Sequence, residues 1–216
     1  MVIGKTKLAS TVQKESFEWG QETAETYHAR AAQDMDWQWQ NFYRPFSDKY
    51  HPDLSAVADF AAGYGRNTRK LLEFGAKHVT MIDVNPDCVR ALQKSLAGKA
   101  ASAVLNNGYD LSNLKAGSFT FFYSFDAMVH FDAELIISYI PEIHRVLAPG
   151  GLAFLHHSNF TGSPGADFRN NPHWRNYMSA NIFQHFAIRA GFDVLEQRVI
   201  DWGIPNLDCI SVLRRP

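Results

Sequence analysis

From residue 55 onward, short runs rich in β-branched and aromatic residues alternate with helix-length amphipathic segments, which restricts the chain to parallel βαβ units. Strands are expected at 55–61, 78–83, 101–105, 119–124 and 151–157, with helices at 66–74, 86–96 and 133–147. In the last of these, Ile136, Tyr139, Ile140, Ile143, Val146 and Leu147 recur at helical spacing, so one face packs on a sheet. Pro141 should kink that helix or force a later start. Beyond Pro149-Gly150-Gly151 come a polar loop over about 158–172, a helix near 179–189, and strands at 192–200 and 207–214. The connection WGIPN between those strands is too short for a helical crossover, so they should pair antiparallel. The expected fold class is α/β: a mostly parallel seven-stranded sheet with helices on both faces and a C-terminal antiparallel hairpin.

A chain of 216 residues without a Gly/Ser/Pro-rich or charged linker reads as one domain, 1–216. Its first fifty residues lack a strand pattern but carry Phe17, Trp19, Tyr27, Trp37, Trp39, Phe42, Tyr43 and Phe46. They are expected to be helical, packed on the sheet or forming a cap over the ligand mouth. No apolar run approaches the roughly 18 residues needed to cross a bilayer, so no membrane partner is expected. Basic residues near the amino terminus are not followed by an apolar stretch, which points away from secretion and towards the cytoplasm. Cys88 and Cys209 make neither a disulfide framework nor a metal clip. A net charge of -1 with scattered Lys and Arg argues against nucleic acid as a partner.

The stretch AVADFAAGYGRNT delivers Asp59, then Gly63 and Gly65, from a strand into a helix beginning near Arg66. Glycines permit a tight turn and close approach of backbone to ligand, and a helix amino terminus offers unpaired N–H groups. About 20 residues on, Asp83 ends the next strand in VTMIDVN, where a carboxylate can accept from both ribose hydroxyls. The alternative is a glycine-rich turn beside a surface aspartate. Within the ligand-binding reading, GYGRNT nearly fits GxGxxG, but Thr68 stands where nicotinamide enzymes want Gly or Ala. An NAD-dependent oxidoreductase stays the alternative from another class.

These residues resemble the first motif of class I S-adenosylmethionine-dependent methyltransferases, acid-x-Gly-x-Gly-x-Gly, with Asp59, Ala61, Gly63 and Gly65 in its places. Ala61 departs from the motif's first glycine. The resemblance continues through Asp83, Asn107-Gly108-Tyr109 and the PGG turn, and it implies a Rossmann-like fold with S-adenosyl-L-methionine as cofactor. It further implies that Asp59 and the glycine turn with Arg66 hold the methionine end. Asp83 and Val84 would then take the ribose, and Asn107, Gly108 and Tyr109 the adenine, with Phe125 also beside the cofactor.

A sulfonium methyl is already activated, so a base is needed only if the acceptor is a hydroxyl. Candidate bases follow the fourth and fifth strands, where ligands bind in open α/β sheets: Asp126 and His130 in FYSFDAMVHFD, and His156 and His157 in LAFLHHSNF. Alternation puts His156 and His157 on opposite faces, and His157 at the strand's end is favoured. The spacing of Asp126, His130 and His157 matches no strong metal motif, and none is expected to bind a metal. SFDAMVH, RVLAPGGLAFLHHSN and NPHWRNYMS are also similar to bacterial methyltransferases of polysaccharide and sugar biosynthesis. That likeness implies O-methylation of a sugar or glycan precursor, with Trp174 stacking on the ring and Arg175 facing an anionic group of its carrier. Another small hydroxyl or amine compound is the alternative acceptor.

Overall fold

The computed structural model describes residues 4–19 and 33–216. Strands β1 (Val57–Phe60), β2 (Val79–Asp83), β3 (Ala101–Leu105), β4 (Phe119–Ser124), β5 (Leu147–Ser158), β6 (Asp193–Ile200) and β7 (Asp208–Arg214) form one sheet of order β3-β2-β1-β4-β5-β7-β6. β1 pairs in parallel with both β2 and β4, so chain direction across the sheet reverses at β1 and opens a crevice at its carboxyl end. β7 runs antiparallel between β5 and β6, as the short WGIPN connection requires. β5 begins four residues before the expected 151. Gly150 N–H donates to the Arg215 carbonyl at 2.8 Å and Arg215 N–H to that of Gly151 at 2.9 Å, which extends pairing through the PGG turn.

Among the described residues, helices α1 (Lys5–Trp19), α2 (Met35–Gln38) and α3 (Arg44–Tyr50) precede the sheet, a π-helical turn at Trp39–Tyr43 joining the last two. α4 (Arg66–Glu73) and α5 (Pro86–Ser95) follow β1 and β2. α6 (Ala133–Val146) and α7 (Ala180–Arg189) cover the opposite face. The starts are written locally: Asn85 caps α5 through Asp87 N–H at 2.8 Å with Pro86 in its first turn, and Asp132 caps α6 through Glu134 N–H at 2.9 Å. With that cap in place, α6 starts on time and runs through Pro141 instead of starting after it.

The aromatic residues of 35–46 divide by position. Trp39, Phe42, Tyr43 and Phe46 are buried on the sheet, where Tyr43 meets Phe46, Phe74, Phe121, Tyr123 and Phe154 at ring separations of 5.5–6.2 Å. Trp37 remains 59% exposed. α1 lies elsewhere, with Leu8 and Val12 packed on Leu135 of α6. Tyr27 falls outside the described residues. No helix among those described is long and apolar enough to cross a membrane.

Removing the Tyr43 ring leaves a cavity against six aromatic neighbours, Trp39 at 4.1 Å among them, so Tyr43→Ala should lower unfolding free energy by about 3–5 kcal/mol. Trp37→Ala should cost less than about 1 kcal/mol, because most of that ring already faces water. Urea denaturation of the two variants checks the pair.

Candidate functional site

A cleft of about 930 Å³, its open mouth included, lies over the carboxyl ends of β1, β2 and β4. Its first wall is the turn after β1. Ala61, Gly63 and Gly65 all take left-handed backbone angles, φ 56°, 53° and 75°. The turn is pinned to the end of β2, since Ala61 and Ala62 N–H donate to the Ile82 carbonyl at 2.8 and 3.3 Å. Gly63 N–H donates to Asp83 Oδ2 at 2.7 Å, while Asp83 Oδ1 accepts from Asn85 N–H at 2.8 Å. Ala61 carries the left-handed angle without being glycine, at a cost on the order of 1 kcal/mol. A Cβ on Gly65 would sit 2.4 Å from Leu92 Cδ2, which explains the glycine where α4 meets α5.

The second wall follows β3. Asn106 Oδ1 accepts from Gly108 N–H and the Tyr139 hydroxyl, both at 2.7 Å, and Gly108 leaves no room for a Cβ against Val12 of α1. Val12 and Ser16 thereby bring α1 into the lining. The third wall follows β4, where Asp126 (φ 57°) and His130 reach the cleft. Asp126 Oδ2 is held by Arg66 Nη2 at 2.6 Å, and Arg66 Nη1 also donates to Gln38 at 3.3 Å. His130 Nδ1 lies 2.8 Å from the Trp174 carbonyl and so carries the proton of a neutral ring.

Burial dominates the titration of these groups. It raises Asp83, against the backbone N–H groups of Asn85 and Gly63 that favour its ionised form. It also pushes His130 down to about 4, helped by the Arg175 charge and opposed by the bond to Trp174.

Of the residues singled out in the sequence, the cleft brings together Ala61, Gly63, Asp83, Val84, Gly108, Asp126 and His130. Others stand behind it. Asp59 is fully buried, takes the Thr68 hydroxyl at 2.5 Å, and is pushed up to about 7 by desolvation. Thr68 is thus no misfit in the glycine motif: it covers a buried carboxylate. Arg66 serves Asp126, and Phe125 packs on the His156 ring at 4.6 Å. Asn107 spends its side-chain oxygen on Tyr109 and Asp110 N–H at 3.0 Å, and Tyr109 packs beside Leu8, Val12 and Leu135.

Two expectations are corrected by burial. His157 does not reach the cleft; it stacks on Phe183 at 3.9 Å, bonds Ser211 and the Ser158 carbonyl, and is lowered to about 4 by burial. Arg175 turns inward, 2% exposed, and grips Asp208 instead of facing a ligand. Trp174 keeps its ring 36% exposed while its backbone carbonyl is bound to His130. Sequence reasoning missed Asn85 and Asn106 in the lining and Asp208 behind it, and it favoured His157 over His156. Asn106 had a signal, as the first residue past β3. The His156–Asp208 pair spans 52 residues of sequence and had none.

The residues present fit S-adenosylmethionine. Asp83 keeps lone pairs on both oxygens for a ribose diol, and among the described lining residues two are carboxylates while none is Lys or Arg. That balance suits a cationic sulfonium and not a pyrophosphate. No group of three His, Cys, Asp or Glu among the described residues could hold a metal ion.

Comparison with known proteins agrees. Residues 57–151 match the family model of a methyltransferase domain. No curated relative matches the sequence. Among solved structures, an S-adenosylmethionine-dependent methyltransferase from Mesorhizobium loti is similar at TM-score 0.63 and 15% identity, over 79% of this chain and 96% of that one. A putative methyltransferase of Haloferax volcanii, solved with its Trm112 activator, gives 0.65 and 18%, over 89% and 95%. The glycopeptide N-methyltransferase MtfA, solved with S-adenosylmethionine, gives 0.60 and 18%, over 80% and 92%. At these identities the structures bear on the fold, a Rossmann-like methyltransferase fold.

Asp83→Ala should weaken binding of S-adenosylhomocysteine by about 1.5–3 kcal/mol, the loss of charge-assisted hydrogen bonds, and calorimetry reads it directly. The methyltransferase-domain match over residues 57–151 runs from β1 into β5, so it takes in the strand ends that wall the cleft, whose residues fit S-adenosylmethionine.

Proposed function

We propose that this methyltransferase acts on a hydroxyl of a small acceptor, a sugar or glycan precursor, with His130 as general base. The observation that carries the reading is the state of His130 at the cleft wall. With its pKa near 4 the imidazole is neutral at pH 7, and with Nδ1–H donated to Trp174 its basic lone pair is on Nε2. A neutral amine needs no such group, whereas an alcohol must lose a proton as its oxygen is alkylated.

S-adenosylmethionine, when bound, supplies a methyl group already activated by the sulfonium charge. Asp83 holds the ribose, the Ala61–Gly63 turn backs the methionine end, and the Asn106–Gly108 segment borders the adenine. His130 Nε2 takes the acceptor's hydroxyl proton. Asp126, which favours the charged form of His130, stabilises the imidazolium and is paired with Arg66. Trp174, 36% exposed on the loop bound to His130, offers a flat face to a sugar ring. The whole chain works as one domain in which α1 caps the cleft, a reading supported by Val12 and Ser16 in its lining. Buried free thiols at Cys88 and Cys209 fit a reducing cytoplasm.

His130→Ala should lower kcat by about 10²- to 10⁴-fold and leave S-adenosylhomocysteine affinity unchanged. Because the His130 pKa is lowered, the base is already deprotonated at neutral pH. The rate should stay level above about pH 6 and fall about tenfold per unit below its pKa of about 4. A bend near 6.5 would assign the proton to another group.

Homocysteine release with a panel of sugar nucleotides, short oligosaccharides, phenols and amines tests the acceptor. Turnover of a sugar is expected, with Trp174→Ala raising its KM and sparing cofactor binding. Turnover of phenols or amines alone would overturn the sugar assignment.

A further inference from the structure

Asp208, on β7, is fully buried, yet both polar groups that the third wall presents to an acceptor are tied back to it. Along one arm, His156 Nε2 lies 3.1 Å from Asp208 Oδ2, and His156 Nδ1 accepts the backbone N–H of Asp126 at 3.1 Å. The second contact decides the tautomer. Since Nδ1 accepts, the ring proton sits on Nε2 and is donated to Asp208. Asp126 has a left-handed φ of 57°, a strained angle that persists only where the surroundings hold it.

Along the other arm, Arg175 donates to both Asp208 oxygens, Nε to Oδ1 at 2.9 Å and Nη2 to Oδ2 at 2.6 Å. The residue before it, Trp174, then directs its carbonyl at His130 Nδ1. His173 and Trp174 are both left-handed, at φ 48° and 56°, so this segment too is held against its own preference. Asn176 closes the arm, its backbone N–H on the Val129 carbonyl at 3.1 Å and its side-chain amide on that of His130.

We infer that Asp208 is a positioning residue for methyl transfer, one carboxylate that holds Asp126 through His156 and sets the His130 tautomer through Arg175 and Trp174. This rests on the reading of His130 as base. An amide at 208 cannot keep all three bonds. With its oxygen in the place of Oδ1, its NH2 meets His156 Nε2–H and Arg175 Nη2–H donor to donor, and with its oxygen in the place of Oδ2, its NH2 meets Arg175 Nε–H and the two-point grip on Arg175 is lost.

The test uses the full chain with ¹⁵N-labelled histidine, and whichever acceptor of the panel turns over. Wild-type spectra should show His130 as the Nδ1–H tautomer and His156 as Nε2–H. In Asp208→Asn at least one of these should change, with kcat down about tenfold or more and S-adenosylhomocysteine affinity within about twofold. Should that variant fail to fold, His156→Asn, which keeps an acceptor for Asp126 N–H, should retain several-fold more kcat than His156→Leu. Unchanged tautomers, an unchanged kcat, or equal rates in the two His156 variants would overturn the inference. Failure of the base reading shows separately, as normal turnover in His130→Ala.

Discussion

The cleft depends on one carboxylate shared between two turns. Asp83 takes Gly63 N–H with one oxygen and Asn85 N–H with the other, joining the turn after β1 to the start of α5. Gly63 can present that N–H because the chain turns left-handed at Ala61 and Gly63, and the Ile82 carbonyl holds the turn's other donors. A negative charge is therefore built into the floor before any ligand arrives. Hydrogen bonds to charged groups contribute about 1.5–3 kcal/mol each, which offsets part of the cost of burying it.

Behind the floor, the two faces of the sheet do different work. One carries the aromatic layer from Trp39 to Phe46, interleaved with Phe121, Tyr123 and Phe154, which is broad, apolar and indifferent to ligand chemistry. On the other, His157 is stacked on Phe183 and kept neutral among apolar side chains. Adjacent histidines of one strand thus have different fates. His156 joins a charged network and His157 a dry one, because strand alternation sends them to opposite layers.

Elements were legible in the sequence where local physics decides them. The β2–α5 junction could be read from Asp83, Asn85 and Pro86 together, and the terminal hairpin from the shortness of WGIPN. The turn after β1 was legible for the same reason, although Ala61 there needed a strained angle that composition does not announce. What stayed hidden was tertiary. Alternation separates His156 from His157 but does not say which face meets the cleft. Arg175 looked like a ligand-facing cation because its partner, Asp208, lies 33 residues away on another strand. Asp59 looked like a ligand contact because its motif borders the cleft, whereas Thr68 draws it inward.

α1 closes one side of the cleft, and its described contacts with the body of the protein lie in its first two turns. Of its described side chains only Leu8 and Val12 are buried, and its one ion pair to α6, Lys7 to Glu134, is between partly exposed groups. Two buried apolar side chains and a partly exposed ion pair set the margin of those described contacts. A ligand touching Val12 and Ser16 adds its own contacts to that margin, so nucleoside and helix hold each other in place by linkage. Undocking of α1 would uncover the cleft on this side, and the time a nucleoside stays would then depend on the helix as well as on the ligand.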